Sequence, residues 1–273
     1  SAEDTNYTLN QTINAPAQLG TTLNDFSAGV RARWDNKHKL RVAMDYGELS
    51  SSEKVPVLGG ANLAAIRHDN DLWEIIQFQN AELLAPGNYE LSGLLRALAG
   101  TEEAMLASAS TGAAFVMINE ALVPANMNLD QIGLPLNWRF GPAQFTIGHP
   151  SYQTRNVTFS ARGLRPLSPV HIKASNQSGD FHISWIRRSR IGGDSWELTE
   201  IPLGEARQLF EIDILNEDEV VRTISSDNQQ AIYREAEQIT DWGSSQSEYS
   251  LRIFQISEIY GRGTATETTL QNI

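Results

Sequence analysis

Short runs of alternating apolar and polar residues, each closed by a turn signal, recur along nearly the whole chain. Alternation with period two puts every second side chain on one face, so such a chain buries itself as pleated sheets. In 38–49, HKLRVAMDYGEL, Leu40, Val42 and Met44 alternate with polar neighbours. The stretch 62–83 reads as a hairpin turning at His68-Asp69-Asn70-Asp71, with Trp73, Ile75 or Ile76, and Phe78 on its second arm. Strand runs at 113–119, 136–141 and 156–163 complete a β-rich first region.

Within it, LLAPGNYELSGLLRALAGTE (83–102) raises the question of a ligand loop. Loops that wrap phosphates need closely spaced glycines, and one class adds a lysine. Here Gly87, Gly93 and Gly100 lie far apart and no lysine is present. Pro86-Gly87 suits the centre of a type II turn, because proline presets φ and glycine accepts positive φ. Tyr89 and Leu91 then share one strand face, with Glu90 and Ser92 on the other. Gly93 marks a bulge or a close backbone approach. The following LLRALAGTEEA fits a strand segment or a short helix equally. The stretch is expected to brace a β structure.

Two prolines within RGLRPLSPV (162–170) mark a linker, dividing residues 1–165 from 166–273. Seven short strand runs follow: PVHIKA, FHISWIR, QLFEIDIL, EVVRTI, AIYREAEQI, SEYSLRIFQIS and GTATETTL. That density of strands and turns is the expectation for an immunoglobulin-type sandwich. Trp185 falls on an early strand, and Tyr249 opens a late one where a tyrosine corner belongs. These features resemble the fibronectin type III fold, with a long insertion (RSRIGGDSWELTEIPLGEAR) after the Trp185 strand. The expected fold class is therefore all-β, with few short helices: a β-rich N-terminal domain, then a fibronectin type III-like sandwich. Gly261-Arg262-Gly263 lacks the aspartate of an integrin-type motif.

The 273 residues are 41% hydrophobic and 20% charged, a globular balance, and carry a net charge of −12. Duplex binding needs clustered Lys and Arg against phosphate, so nucleic acid is not an expected partner. No apolar run is long enough for a membrane-spanning helix. The absence of cysteine removes disulfides, thiolate metal sites and a cysteine nucleophile. The polar start, SAEDTNYTLNQT, lacks the blocks of a signal peptide and reads as the beginning of a fragment.

Three longer stretches carry a closer resemblance: WEIIQFQNAELLAPGNYELSGLLRALAGTEEA, LSPVHIKASNQSGDFHISWIRRSRIGGDSWE and RIFQISEIYGRG. Together they resemble the C-terminal part of the very large baseplate protein of bacterial gene transfer agents and siphophage-like tails, nicknamed megatron. The resemblance implies a tail particle assembled in the bacterial cytoplasm, with other tail and baseplate subunits as partners and a homotrimer in the particle. It also implies a glycoside-hydrolase-like barrel upstream, whose activity is not carried onto these residues.

Few residue groups suggest chemistry. His38, His68, His149, His171 and His182 form no helical metal motif; His171 and His182 could lie on adjacent strands. Asp69, Asp71 and Glu74 could catch calcium, although a polar turn explains them equally. Glu74, Glu82, Glu90 and Glu102 are carboxylates by type alone, and their strand spacing makes most of them solvated outer-face residues. No nucleophile elbow occurs. No catalytic residue, metal ligand or cofactor is assigned.

The best interaction candidate is the insertion WIRRSRIGGDSWE, through Arg188, Arg190, Asp194 and Trp196. Arginine beside tryptophan can stack on a sugar or anchor a protein interface. The alternative is that Arg188 or Arg190 pairs within the chain and Trp196 folds back. The expected function is a non-enzymatic structural and attachment module. The rival is a carbohydrate-binding module for bacterial surface glycans, favoured if Trp34, Trp73, Trp138 or Trp196 are exposed in a row. A glycoside hydrolase fragment is the third reading.

Overall fold

The alternating pattern resolves into two β bodies. The computed structural model describes residues 1–192 and 199–273, and the chain divides into the units Ser1–Ser160 and Ala161–Ile273.

In the first unit six strands close into a barrel: β1 (Leu19–Thr22), β2 (Leu40–Met44), β3 (Leu63–Arg67), β4 (Trp73–Ala85), β5 (Asn88–Leu98) and β6 (Ala114–Met117). Their order is β1-β2-β5-β4-β3-β6, and every neighbouring pair is antiparallel. Closure pairs the strand edges that would otherwise template aggregation. Phe26, Leu40, Val42, Ile66, Ile76, Phe78, Leu91, Leu94 and Phe115 fill the interior and are almost wholly shielded from water. Each such side chain contributes about 1.5–3 kcal/mol through burial. The helix α1 (Lys54–Leu58) lies beside β4, where the Gln77 amide donates to the Ala61 carbonyl at 2.8 Å.

The long β4–β5 hairpin turns at Pro86-Gly87, where Gly87 takes φ +74°. Gly93, at φ +63°, is a close approach: a Cβ there would stand 3.0 Å from the Cβ of Gln79. At this point the inward alternation slips by one residue, from Tyr89 and Leu91 to Leu94 and Arg96. The slip points a charged side chain, Arg96, into the barrel. LLRALAGTEEA proves to be both of its alternatives, the end of β5 and then a short 3-10 turn, Glu102–Leu106.

One expectation fails here. Glu74, Glu90 and Glu102 are buried, and only Glu82 of the four lies in solvent. Alternation predicts which face a residue takes. It does not foresee Lys39, just ahead of β2, and Arg41 within it clamping Glu90, or a cationic interior receiving Glu74. Beyond the barrel, β7 (Pro135–Phe140) and β8 (Gln153–Thr158) form a separate two-stranded ribbon.

The second unit contains β9 (Val170–Gln177), β10 (Asp180–Ile186), β11 (Phe210–Asn216), β12 (Glu219–Ser226), β13 (Gln230–Tyr233), α2 (Glu235–Trp242), β14 (Glu248–Ser257), β15 (Gly261–Arg262) and β16 (Thr266–Gln271). One sheet runs β13-β10-β9; the other runs β12-β11-β14, with β15 and β16 both pairing β14. This is the two-sheet order of a fibronectin type III-like sandwich. Its core joins Phe181, Ile183, Trp185, Phe210, Ile212, Ile214, Tyr233, Tyr249, Leu251 and Ile253. Trp185 is 4% exposed and meets the Phe210 ring edge-on at 5.2 Å.

AIYREAEQI, expected as one strand, breaks after Tyr233 into helix α2. The cause is end chemistry: the Glu237 carboxylate accepts from the Arg234 amide at 3.0 Å, and Gly243 closes the helix at φ +78°. The helix secures the corner of the sandwich. Tyr249, 1% exposed, accepts from the Gln246 amide at 2.9 Å and donates to Oε1 of buried Gln238 at 2.8 Å. Gln238 in turn donates to the carbonyls of Tyr233 and Gly179.

Tyr249→Phe removes both hydroxyl bonds at constant ring volume. Denaturant unfolding followed by tryptophan fluorescence should show the second unit destabilised by about 1–3 kcal/mol. An unchanged midpoint would mean that the hydroxyl does not hold the corner.

Candidate functional site

The strongest concentration of ionisable groups lies inside the barrel. His68 follows β3, Glu74 sits in β4, Arg96 in β5, and Asp35 in the connection from β1 to β2, held to β5 by paired backbone bonds with Leu94. Arg96 grips Glu74 twice, Nε to Oε1 at 2.6 Å and Nη2 to Oε2 at 2.8 Å. Its guanidinium lies over the Phe26 ring at 3.7 Å, and Nη1 stands 3.8 Å from Asp35 Oδ2. A Cβ on Gly29 would collide with both of these charged groups, so only glycine fits there.

His68 Nε2 faces Glu74 Oε2 at 2.8 Å, and Nδ1 faces the Ala107 carbonyl at 2.8 Å. His38 Nδ1 meets Asp35 Oδ2 at 2.8 Å. Burial pushes the Glu74 carboxyl up, but the bonds from His68 and Arg96, the Arg96 charge and the Ala97 amide outweigh it and hold the group below its ordinary value. At Asp35 burial also raises, and the bonds from His38 and the Lys37 amide again win. His68, Glu74, Arg96 and Asp35 are each at most 2% exposed. A cluster so enclosed offers no face to a substrate; it acts as an internal clamp.

The predicted interaction residues fall differently. Arg188 Nε donates to the Ser168 carbonyl at 2.7 Å. Arg190 donates to Glu205 Oε1 at 3.0 Å and to the Gly204 carbonyl at 2.8 Å. Arg187 bonds the carbonyls of Ile201 and Pro202. All three arginines brace their own unit. Asp194 and Trp196 lie outside the described residues.

The remaining sequence candidates scatter. Glu74 is turned inward, Asp71 pairs with Arg67, and Asp69 accepts from Ser110, so the calcium cluster is not assembled. His182 lies opposite Ser175 rather than His171. No metal-ligating group of three or more occurs among the described residues. Trp73 is 41% exposed, whereas Trp34, Trp138 and Trp242 are half-buried and Trp185 is buried, so no row of exposed indoles forms among the described residues.

Gly261-Arg262-Gly263 also has a structural use. Arg262 lies over the Phe254 ring at 4.5 Å and bonds Asp213 and Glu211, and a Cβ on Gly263 would stand 2.7 Å from the Pro166 carbonyl oxygen.

Sequence reasoning missed the displayed surfaces. Leu83 and Leu84, near the hairpin turn, are 61% and 48% exposed, and Phe140, Phe145 and Ile147 are exposed at the end of the ribbon. A signal for the ribbon existed: the chain holds no Asp or Glu from 131 to 179.

A closed antiparallel barrel with an enclosed charge clamp, followed by a three-on-five sandwich, defines a two-body β protein. Its barrel has a relative among known families: residues 17–116, little over a third of the chain, match a family model described as Rcc01698-like, C-terminal. No curated protein matches the chain. Solved structures with a likeness include rat CD45 extracellular domains d3-d4, at TM-score 0.29 and 9% identity, over 57% of this chain and 72% of that one. Another is FN3tt mut, at TM-score 0.26 and 12% identity, over 38% and 93% of the two chains. The FN5 domain of Drosophila Lar gives 0.22 and 16%, over 40% and 99%. The sandwich assignment rests on strand order and the Tyr249 corner. No described helix is long and apolar enough to cross a membrane.

Glu74→Gln leaves the buried Arg96 guanidinium without its carboxylate and should destabilise the barrel by about 3–5 kcal/mol in denaturant melts. A loss below about 1 kcal/mol would refute the clamp. Acid should act in the same direction. Glu74 and Asp35 titrate below their ordinary values of 4.5 and 3.8 when folded, so the unfolded chain takes up protons first as pH falls. Their contribution is complete above about pH 5 and is lost as pH drops through the folded values, which thermal melts across that window would detect.

Proposed function

We propose that this chain is a structural and attachment module of a phage-tail-like baseplate of the gene transfer agent type, without a reaction centre of its own. It would work in a tail particle assembled in the bacterial cytoplasm, beside other baseplate subunits and as a homotrimer in the particle. The observation that carries this reading is the division of labour among its side chains. The carboxylates and imidazole most suited to chemistry are spent inside the barrel, while leucines and aromatics stand in solvent at the ends of a hairpin and a ribbon. Exposed apolar tips on stiff β supports are what a subunit offers for a neighbour to cover. The three stretches that resemble the baseplate protein support the same reading. A glycan-binding role would draw on Trp73 alone among the described indoles, and it is not advanced.

Gold-labelled antibody against the chain should decorate one end of purified tail particles in electron micrographs. Replacing both Leu83 and Leu84 by glutamate should reduce its incorporation at least about tenfold, the loss expected when an apolar anchor becomes charged. Label spread along the tail, or absent from it, would sink the baseplate reading.

A further inference from the structure

We propose that the outer edge of β8 is a docking strand that captures an extended acidic segment of a neighbouring protein by strand addition. This inference rests on the assembly reading above, of which it names one contact.

The backbone directions can be deduced. Ser1 and Asn137 exchange backbone bonds, the Ser1 ammonium to the Asn137 carbonyl at 3.0 Å and the Asn137 amide to the Ser1 carbonyl at 2.7 Å. The Asn137 groups thus point away from β8. Asn156 lies opposite Asn137, and in an antiparallel pair the facing residue of such a position also turns its N–H and C=O outward. Thr154 and Thr158, two residues to either side, do the same. None of these six backbone groups has a partner among the described residues.

Their setting leaves them to water. All six residues of β8 are exposed, and an isolated two-stranded ribbon is marginal in water. One edge of the ribbon is occupied by Ser1; among the described residues no backbone group pairs with the edge of β8. An open edge of this kind is a template for strand addition, in which main-chain bonds supply affinity and alternate side chains supply specificity.

Charge indicates the occupant. The chain carries 33 acidic residues, yet none falls between 131 and 179, and Arg155 at the middle of β8 has no ion pair among the described residues. Gln153, Arg155 and Val157 share a face with Leu136, Trp138 and Phe140. In a strand beside β8 that alternates acidic with apolar residues, one class lies on the face of Gln153, Arg155 and Val157, and with the acidic class there a carboxylate comes to Arg155.

The test uses the full chain, labelled with nitrogen-15, and two synthetic ten-residue peptides, one alternating Glu with Val and the other Lys with Val. Alone and dilute, the Thr154, Asn156 and Thr158 amides should exchange rapidly with solvent. The Glu peptide should slow them at least about tenfold, and the Lys peptide should bind about tenfold more weakly. Asn156→Pro removes one outward donor and should lower affinity for the Glu peptide about tenfold. Arg155→Glu should reverse the preference, and it tests the same edge if the proline variant loses its ribbon signals. Amides already protected in the dilute chain would overturn the proposal. So would equal response to both peptides, or binding unchanged in both variants. Protection that rises with chain concentration alone would assign the edge to a second copy and overturn it too. Any such result would leave the tail-labelling outcome standing.

Discussion

The barrel depends on one ion pair that hydrophobic patterning would not have placed there, Arg96 with Glu74. Two full charges in a closed interior are tolerable only when each is compensated. Here the guanidinium spans Glu74 and approaches Asp35, the imidazole of His68 bonds the same carboxylate, and Phe26 offers its ring face. The arrangement ties β3, β4, β5 and the connection between β1 and β2. It constrains register, since a one-residue slip of β5 would pull the guanidinium from its carboxylate. The slip of alternation at Gly93 is therefore a requirement of the clamp as well as a bend.

The sandwich solves a comparable problem with neutral groups. Tyr249 and Gln238 satisfy one another and three neighbouring backbone groups, linking β14, α2 and the ends of β10 and β13. No charge is desolvated at this corner, so its contribution depends little on pH. Nearby, Arg222 and Asp241 pair at the boundary of the core. Burial, with the bond the phenol donates to Asp241, holds Tyr233 well above its ordinary value.

Much of this was legible in advance. The strand runs, the hairpin turn at His68–Asp71, the Pro86-Gly87 turn and the interior positions of Trp185 and Tyr249 all follow from period and turn chemistry. Helix α2 was missed because a short Ala-Glu-Gln run can be threaded as a strand, and its capping contacts reveal themselves only once Glu237 turns back on Arg234. The carboxylates were misplaced for a different reason. Burial of Glu74 and Glu90 is decided by cations far away in sequence, and a single strand's pattern carries no trace of them. The carbonyls that Arg188 and Arg190 bond, Ser168 and Gly204, lie 20 and 14 residues away in the chain, beyond what their own stretch of sequence reveals.

By itself the sequence determined that this chain is built of strands, where its turns fall and which two rings anchor the sandwich, because those properties depend on near neighbours along the backbone. Tertiary structure alone decided that six strands close on themselves, that Arg96 and Glu74 meet inside, and that β8 pairs with β7 in a ribbon of its own. Each of these is a pairing between residues distant in the chain, and long-range pairing is settled by packing and electrostatics in three dimensions, which local alternation does not encode.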